Sequence, residues 1–152
     1  MKKFNHFVES LLVLVLIFAG VTGAQDRWEF LASTNEDSIY FIDMGSIVMV
    51  SPHRYLVWEK FYAIGKDREQ IFEGALKGNK DAKKYVYTMS RIEIDCASMK
   101  CRTHSLYHYS FEGKVLFGGP LELAEWYDFP PGSIGWSKIE KICMKPLDAK
   151  EM

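Results

Sequence analysis

The residues of this sequence whose types could support chemistry are few, and most lie in its second half. Cysteines stand at Cys96, Cys101 and Cys143, and two histidines, His104 and His108, are four residues apart. Cysteine and histidine are the usual protein ligands of zinc, and together they form the usual thiol nucleophile and base. The chain must therefore be tested for a metal site and for a catalytic cysteine.

Neither the cysteines nor the histidines predict a metal site. The stretch CASMKC has loose ligand spacing, and no second pair of Cys or His completes a tetrahedral zinc set. The residues around His104 and His108 are typical of a strand, where positions i and i+4 lie about 13 Å apart at about 3.3 Å per residue. The two imidazoles therefore cannot share one metal. We interpret both as surface residues of a strand and predict no metal and no cofactor.

Catalytic interpretations of Cys101 and of the carboxylates Glu93 and Asp95 have little support. A nucleophilic thiol needs a nearby base and a lowered pKa, and no local signature around Cys101 supplies them. Glu93 and Asp95 share one strand face with Arg91, and we expect this face to be solvated. The sequence has no phosphate loop, nucleophile elbow, zincin helix or dinucleotide fingerprint. It therefore indicates a protein that is not an enzyme.

Residues 1–24 are typical of a cleaved signal peptide. Lys2 and Lys3 precede the apolar run SLLVLVLIFAGV, and residues 22–24 have the small-x-small pattern of a cleavage site. The uninterrupted apolar run, residues 11–21, is shorter than the roughly 20 residues that span a bilayer. No cysteine near the cleavage point could accept a lipid. We therefore predict an exported protein, periplasmic or secreted, with no membrane span after cleavage.

The mature chain, residues 25–152, is nearly neutral. Removing residues 1–24 takes away Lys2, Lys3 and Glu9, which leaves 17 basic and 19 acidic residues and a net charge of −2. This balance argues against binding to nucleic acid or to anionic lipid. Because exported cysteines pair, three cysteines predict one disulfide bond with a leftover thiol, or a bridge between molecules.

The elements that position these residues are mainly strands. We expect Asp43 and Gly45 to break the second strand, and residues 118–120 to end the last one. A short helix with an apolar stripe is predicted between Asp67 and Gly78. Alternating apolar residues and turn signals predict strands at WEFLAST, SIYFIDM, IVMV, RYLVWEKFYA, KYVYTMSRIEIDC, CRTHSLYHYSF and KVLF.

One further helix is predicted near the C-terminus. The break at residues 130–132 is followed by Ser133, a good N-cap, and Ser137 with Glu140 offers a capping box as an alternative start. Strands joined by short turns and followed by a late helix predict one α+β domain with an antiparallel meander. The helix presents one apolar face, formed by Trp136, Ile139, Ile142 and Cys143.

Four stretches of the mature chain resemble the surface-adhesin protein E family of Gram-negative bacteria. They are an early tryptophan followed by IYFID, RYLVWEKF, RIEIDC with a following EGKVL hairpin, and WYDFPPGSIGWSKIEKIC. The resemblance covers most of residues 25–152. It implies a single antiparallel sheet of about six strands, with a C-terminal helix packed on one face and tethered by a disulfide bond matching Cys96 and Cys143. Loop-closure entropy agrees with this pairing. A bond between Cys96 and Cys143 would stabilise the fold by roughly 4 kcal/mol, whereas a bond between Cys96 and Cys101 would stabilise it by roughly 2 kcal/mol. Cys101 is then a free thiol.

The resemblance also implies a function, since the family is associated with adhesion to host extracellular-matrix proteins. It favours a non-enzymatic binding domain, at the cell surface or released from it. Because the lipid-accepting cysteine of surface lipoproteins is missing, a soluble periplasmic module stays open, with an unknown small ligand between sheet and helix. The oligomeric state is not predicted. For adhesion, we predict a binding face formed by aromatic residues, namely Tyr55, Phe61, Tyr107 and Tyr109.

Overall fold

The computed structural model describes residues 27–35, 38–122 and 124–144. The predicted signal peptide lies outside these ranges, and within them there are seven strands and two α-helices. A 3-10 turn at Ala82–Lys84 precedes the fourth strand. The elements are β1 (Trp28–Ser33), β2 (Ile39–Ser51), β3 (Arg54–Tyr62), α1 (Gly65–Glu73), β4 (Tyr85–Asp95), β5 (Lys100–Ser110), β6 (Val115–Pro120), β7 (Tyr127–Asp128) and α2 (Ile134–Cys143).

The strands form one antiparallel meander, as the sequence predicts. Strands β1 to β6 lie side by side in chain order, and the two-residue β7 pairs with Lys100 and Cys101 of β5. Since β4 occupies the other edge of β5, β7 lies on the same edge as β6. The predicted α+β class and the sheet of about six strands are confirmed.

One predicted strand break is wrong, and one strand ends later than predicted, at Pro120. Strand β2 runs through Asp43 and Gly45, where the pairing with β3 shifts register and forms a bulge instead of a break. The Asp43 carboxylate accepts a hydrogen bond from the backbone N–H of Gly45 at 3.1 Å, which satisfies a donor inside the bulge. Strand β6 continues through Gly118, where a side chain is sterically excluded. A Cβ there would lie 2.1 Å from the carbonyl oxygen of Leu106 on β5.

Helix α2 begins and packs as predicted. The Ser133 side chain accepts a hydrogen bond from the backbone N–H of Trp136 at 3.2 Å, so Ser133 is the N-cap. Gly135 lets the ring of Phe129 lie against the first turn, because a Cβ at this position would be 2.1 Å from the ring. The buried core between helix and sheet, each residue at most 4% exposed, consists of Ile42, Val57, Ile92, Ile94, Cys101, Ile139 and Ile142.

The disulfide bond predicted from the family resemblance is confirmed. Cys96 directly follows β4 and is bonded to Cys143, the last residue of α2, with 5.5 Å between their Cα atoms. The helix is also attached by two ion pairs. Lys138 contacts the buried carboxylate of Glu59 on β3, and Lys141 lies 3.0 Å from Glu29 on β1.

Helix α1 and the loop after it cover the other end of the same sheet face. Helix α1 starts at Gly65, two residues before the predicted start, and Asp67 lies in its first turn. Both helices therefore pack on one side of the sheet, which we call the helix face, and the opposite side is the open face. The second core cluster on the helix face has Ala63, Leu76 and Tyr85 at its centre, with Phe61, Ile71, Phe72, Ala82 and Leu116 around them.

Candidate binding face

Aromatic side chains cross the open face from strand to strand. Each of the first five strands contributes one ring, and each ring contacts the next. The centroid distances are 6.1, 6.0, 5.8 and 5.0 Å in chain order. We call this row the aromatic ladder, and its members are Phe30, Phe41, Tyr62, Tyr87 and Tyr109.

The ladder follows from strand register. Phe30 lies directly opposite Phe41, and Tyr87 lies directly opposite Tyr109. Directly opposed residues of antiparallel strands point to the same side of the sheet. The two contacts of Phe41 are edge-to-face and the Tyr87–Tyr109 contact is stacked, which are the favoured geometries of aromatic pairs. Phe30 at the sheet edge is 56% exposed, so the ladder ends in solvent.

An open groove of about 380 Å³ lies beside the β1 end of the ladder, lined by Trp28, Ile39, Phe41, Lys60 and Tyr62. Its walls are mainly apolar, and its one charged group is the ammonium of Lys60. That ammonium lies 4.3 Å from the ring centroid of Trp28, within the range of a cation–π contact. Burial lowers the pKa of Lys60. The groove therefore combines aromatic surface with a partly desolvated cation.

Three carboxylates of the open face are already neutralised by arginine. Asp43 accepts hydrogen bonds from Arg27 at 2.9 Å, and Asp95 accepts one from Arg54 at 3.1 Å. A third acid, Glu93, receives Arg102, as described next. The surface left for a partner therefore offers aromatic rings and cations, with no unpaired acid among these three groups.

Glu93 binds two donors through a single oxygen. Its Oε2 atom lies 2.6 Å from Nη2 of Arg102 and 2.6 Å from Nε2 of His104. Burial alone raises the pKa of Glu93, but the hydrogen bonds from His104 and Arg102 outweigh it and hold the pKa below its ordinary value. Glu93 therefore stays ionised and fixes both donors on the open face.

The prediction that Glu93 and Asp95 form a solvated pair is wrong. Glu93 is 4% exposed and Asp95 is 8% exposed. The sequence shows their shared face, but it does not show the arginines that cross-strand register brings to them. Arg102 lies directly opposite Glu93, and Arg54 lies directly opposite Asp95.

The interpretation of both histidines as surface residues of one strand face is also wrong. The β4–β5 register shifts after Arg91, which leaves His104 as an extra residue in β5. As a result His104 faces Glu93 on the open face, whereas His108 is buried on the helix face. The Nδ1 atom of His108 lies 2.8 Å from the hydroxyl of Thr88.

The four predicted binding residues do not lie on one face. Tyr107 and Tyr109 are on the open face. Tyr109 belongs to the ladder, and the ring centroid of Tyr107 lies 6.4 Å from that of Trp58. Tyr55 packs against the core beneath α2, and Phe61 packs against the second core cluster. The structure therefore brings two of the four together and places the other two under the helices, and a binding role for any of them stays a prediction.

Cys101 is buried and has no disulfide partner. Burial raises the pKa of its thiol to about 11, so the thiol is protonated at neutral pH and is a poor nucleophile. Within the described ranges, no three His, Cys, Asp or Glu side chains are grouped so that they could hold a metal ion. None of the helices described has the length and apolar content needed to cross a bilayer.

Sequence reasoning did not find Trp28, Lys60 or Arg91 as site residues. A lysine inside a strand predicts only a solvent-facing position, because its aromatic neighbours lie on other strands. Lys60 also faces the ring of Tyr87 on β4 at 5.3 Å, and Arg91 faces the ring of Trp58 on β3 at 5.3 Å. The alternation of residues in β3 does place Trp58 and Tyr62 on one face. This pattern is the part of the site that the sequence could have indicated.

The family model described as surface-adhesin protein E matches residues 28–144 of the chain. This chain belongs to that family. Family membership confirms the resemblance found in the sequence, supports an adhesin-like surface protein and gives no indication of catalysis.

Solved structures of Haemophilus influenzae protein E share the fold. Its crystal form II is 14% identical with a TM-score of 0.55, and the alignment covers 81% of this chain and 91% of that one. A second structure of the same protein has the same identity and TM-score, with coverage of 81% and 88%. The selenomethionine form is 13% identical with a TM-score of 0.52 and coverage of 76% and 86%. No curated protein matches the sequence significantly.

Proposed function

We propose that this protein is an exported, non-enzymatic adhesion protein that binds a host extracellular-matrix protein with its open face. The observation that carries the proposal is the aromatic ladder, which crosses five strands on the side of the sheet that neither helix covers. Large aromatic side chains give high contact area at low cost in side-chain entropy, and they are enriched where proteins bind other proteins. Membership in the surface-adhesin protein E family supports the same function.

The arrangement of the two faces favours adhesion over a periplasmic small-ligand module. That alternative expects an aromatic cavity enclosed between sheet and helix. In this position the described residues form a packed core that includes Ile139 and Ile142 of α2, each at most 1% exposed. The groove beside Trp28 lies on the other face and is open. The site available to a partner is therefore a broad surface.

Solid-phase binding to a panel of immobilised extracellular-matrix proteins tests the adhesion proposal. The mature protein should bind at least one of them above a scrambled-sequence control. A double variant, Phe41→Ser with Tyr87→Ser, should lose this binding because it removes the middle of the ladder. The matched control is Phe111→Ser, which removes a ring that is 69% exposed outside the ladder. Retained binding by the double variant would assign adhesion to another surface.

Cell fractionation with surface proteolysis tests the predicted location. For an adhesion protein, we expect cleavage of the signal peptide after residue 24. We also expect a protease added to intact cells to digest the mature protein. A pool found only in the periplasm would contradict adhesion, even if the purified protein binds matrix proteins.

A further inference from the structure

The open face carries more unpaired positive charge than its own acids can neutralise. Asp43, Glu93 and Asp95 each have an arginine partner. Lys60 and Arg91 contact aromatic rings. Asp43, which Arg27 already binds, acts on Lys60 only at longer range, and no carboxylate among the described residues lies within ion-pair distance of Lys60 or Arg91. A cation held against rings is partly stripped of water and gains strongly from an incoming anion. The two cations therefore indicate that the partner is negatively charged where it contacts them.

The positions of these cations also restrict the shape of the partner. Lys60 lies directly opposite Met89, and Arg91 is two residues along β4 from Met89. The two cations are thus diagonal cross-strand neighbours, about 7–8 Å apart at their Cα atoms. In an extended peptide, residues i and i+2 lie on one face about 6.6–6.8 Å apart. The spacing of two alternate carboxylates in such a peptide matches the spacing of the cations.

The groove adds an apolar requirement at one end. It lies on the β1 side of Lys60, away from Arg91, and its ring walls include Trp28 and Tyr62. A side chain two residues before the first carboxylate would be on the same face of the peptide and would reach this groove. The surface thus has three positions in order: an apolar groove, Lys60 and Arg91.

We infer that the open face binds an extended acidic segment of the partner protein, with an apolar residue and two carboxylates at alternate positions. The apolar side chain fills the groove beside Trp28, and the carboxylates pair with Lys60 and Arg91. This inference rests on the proposed function and specifies the chemistry of the adhesion partner. It gives Lys60 and Arg91 a role in binding, whereas a partner bound by the aromatic ladder alone would need neither cation.

Fluorescence anisotropy with labelled synthetic peptides tests the inference on the mature protein. The probe contains Phe-Ser-Asp-Ser-Asp, which places its three functional side chains on one face. The first control replaces both aspartates by asparagine. The second, Phe-Ser-Asp-Asp-Ser, keeps composition and charge but puts the carboxylates on opposite faces. We expect the probe to bind about tenfold more tightly than the asparagine peptide and severalfold more tightly than the second control.

Protein variants provide the other half of the test. Lys60→Gln and Arg91→Gln should each weaken binding of the probe about tenfold, and Lys60→Arg should restore most of it. The matched control is Lys114→Gln, which removes an exposed lysine from the β5–β6 hairpin and should leave binding unchanged. Unchanged denaturation midpoints in all four variants would show that the fold is intact.

Several results would overturn the inference. Equal binding of the probe and the Phe-Ser-Asp-Asp-Ser peptide, or no effect of Lys60→Gln, would do so. Heparin or phosphatidylglycerol vesicles binding as tightly as the probe, with the same loss in Lys60→Gln, would instead indicate an unspecific anion surface. If matrix binding persists in Lys60→Gln and fails in the ladder variant, the proposed function stands and only the acidic-segment inference fails.

Discussion

The two faces of the sheet are both rich in aromatic residues, but they use them in different ways. On the helix face the centre is aliphatic, with Ile92 and Ile94 beneath α2, and rings such as Tyr85 lie at the side in close contact with α1 residues. On the open face neither described helix covers the sheet. Trp126 packs on Arg54 and Arg102 at one end, and elsewhere the rings contact one another and the cations Lys60 and Arg91. The helix face is closed by packing, whereas the open face remains a surface.

This difference separates stability from binding. Burial of apolar area stabilises a fold by about 25 cal/mol per Å², and nearly all fully buried large side chains are on the helix face. The open face contributes less to stability and supplies the proposed binding surface. Substitutions on the two faces should therefore have opposite consequences, with large losses of stability on one and large losses of binding on the other.

Removing the disulfide bond should have the largest effect on stability. The double variant Cys96→Ser with Cys143→Ser should lose about 4 kcal/mol of unfolding free energy, because the bond closes a long loop in the unfolded chain. Urea denaturation followed by circular dichroism measures the loss. The matched control, Cys101→Ala, should cost about 1 kcal/mol. Detection of more than one reactive thiol in the denatured, unreduced protein would contradict the assigned bond.

Truncating the core of the helix face should have the next largest effect. Ile139 of α2 is fully buried, and Ile139→Ala should lower the unfolding free energy by about 3 kcal/mol because it leaves a cavity. The control is Met144→Ala, just after the C-terminal end of α2. Its side chain is 65% exposed, so the substitution should change the unfolding free energy little. Because the open face is untouched, binding to the matrix protein should persist in Ile139→Ala at a temperature where it is folded. Loss of binding by the folded variant would show that the faces are coupled.

The sequence predicts the helix face better than the open face. Periodicity shows that Ile92 and Ile94 share a side, that Ser133 starts a helix and that Ile139 and Ile142 face the same way, because these are local properties of one element. The ladder depends on register between strands. Bulges, such as the single-residue bulge at His104 and the longer one near Gly45, change which side chains become neighbours. Local patterns do not report such bulges, and for this reason the four-residue binding face divided between the two sides.

Acidification should destabilise the helix face through His108. Burial lowers the pKa of His108 below its ordinary 6.5, and its Nε2 atom has no hydrogen-bond partner in the described part of the chain. Above pH 6.5 the side chain is neutral in both the folded and the unfolded protein. As the pH falls below 6.5, the unfolded chain takes up a proton that the folded protein does not. The unfolding free energy should then decrease, by at most about 1.4 kcal/mol per pH unit from this group.

Denaturant unfolding between pH 7 and pH 5 measures this dependence. The pH-dependent part should shrink in His108→Gln, whatever the variant costs at pH 7. His53→Asn, in the exposed β2–β3 turn, serves as the control and should keep the wild-type slope. A slope that is unchanged in His108→Gln would assign the dependence to other groups.

The smallest effect on stability is expected on the open face, and the comparison can be made within one strand. Tyr85 and Tyr87 are two residues apart in β4, but a bulge between them places them on opposite faces. Tyr87→Ala removes ring contacts with Tyr62 and Tyr109 and should cost about 1 kcal/mol. It should nevertheless abolish most binding to the matrix protein. Tyr85→Ala, which truncates a side chain that is 1% exposed, should cost about 3 kcal/mol and leave binding by the folded fraction intact. If the two variants lose similar amounts of unfolding free energy, the ladder stabilises the fold as the core does. The assignment of stability to the helix face and of binding to the open face would then be wrong.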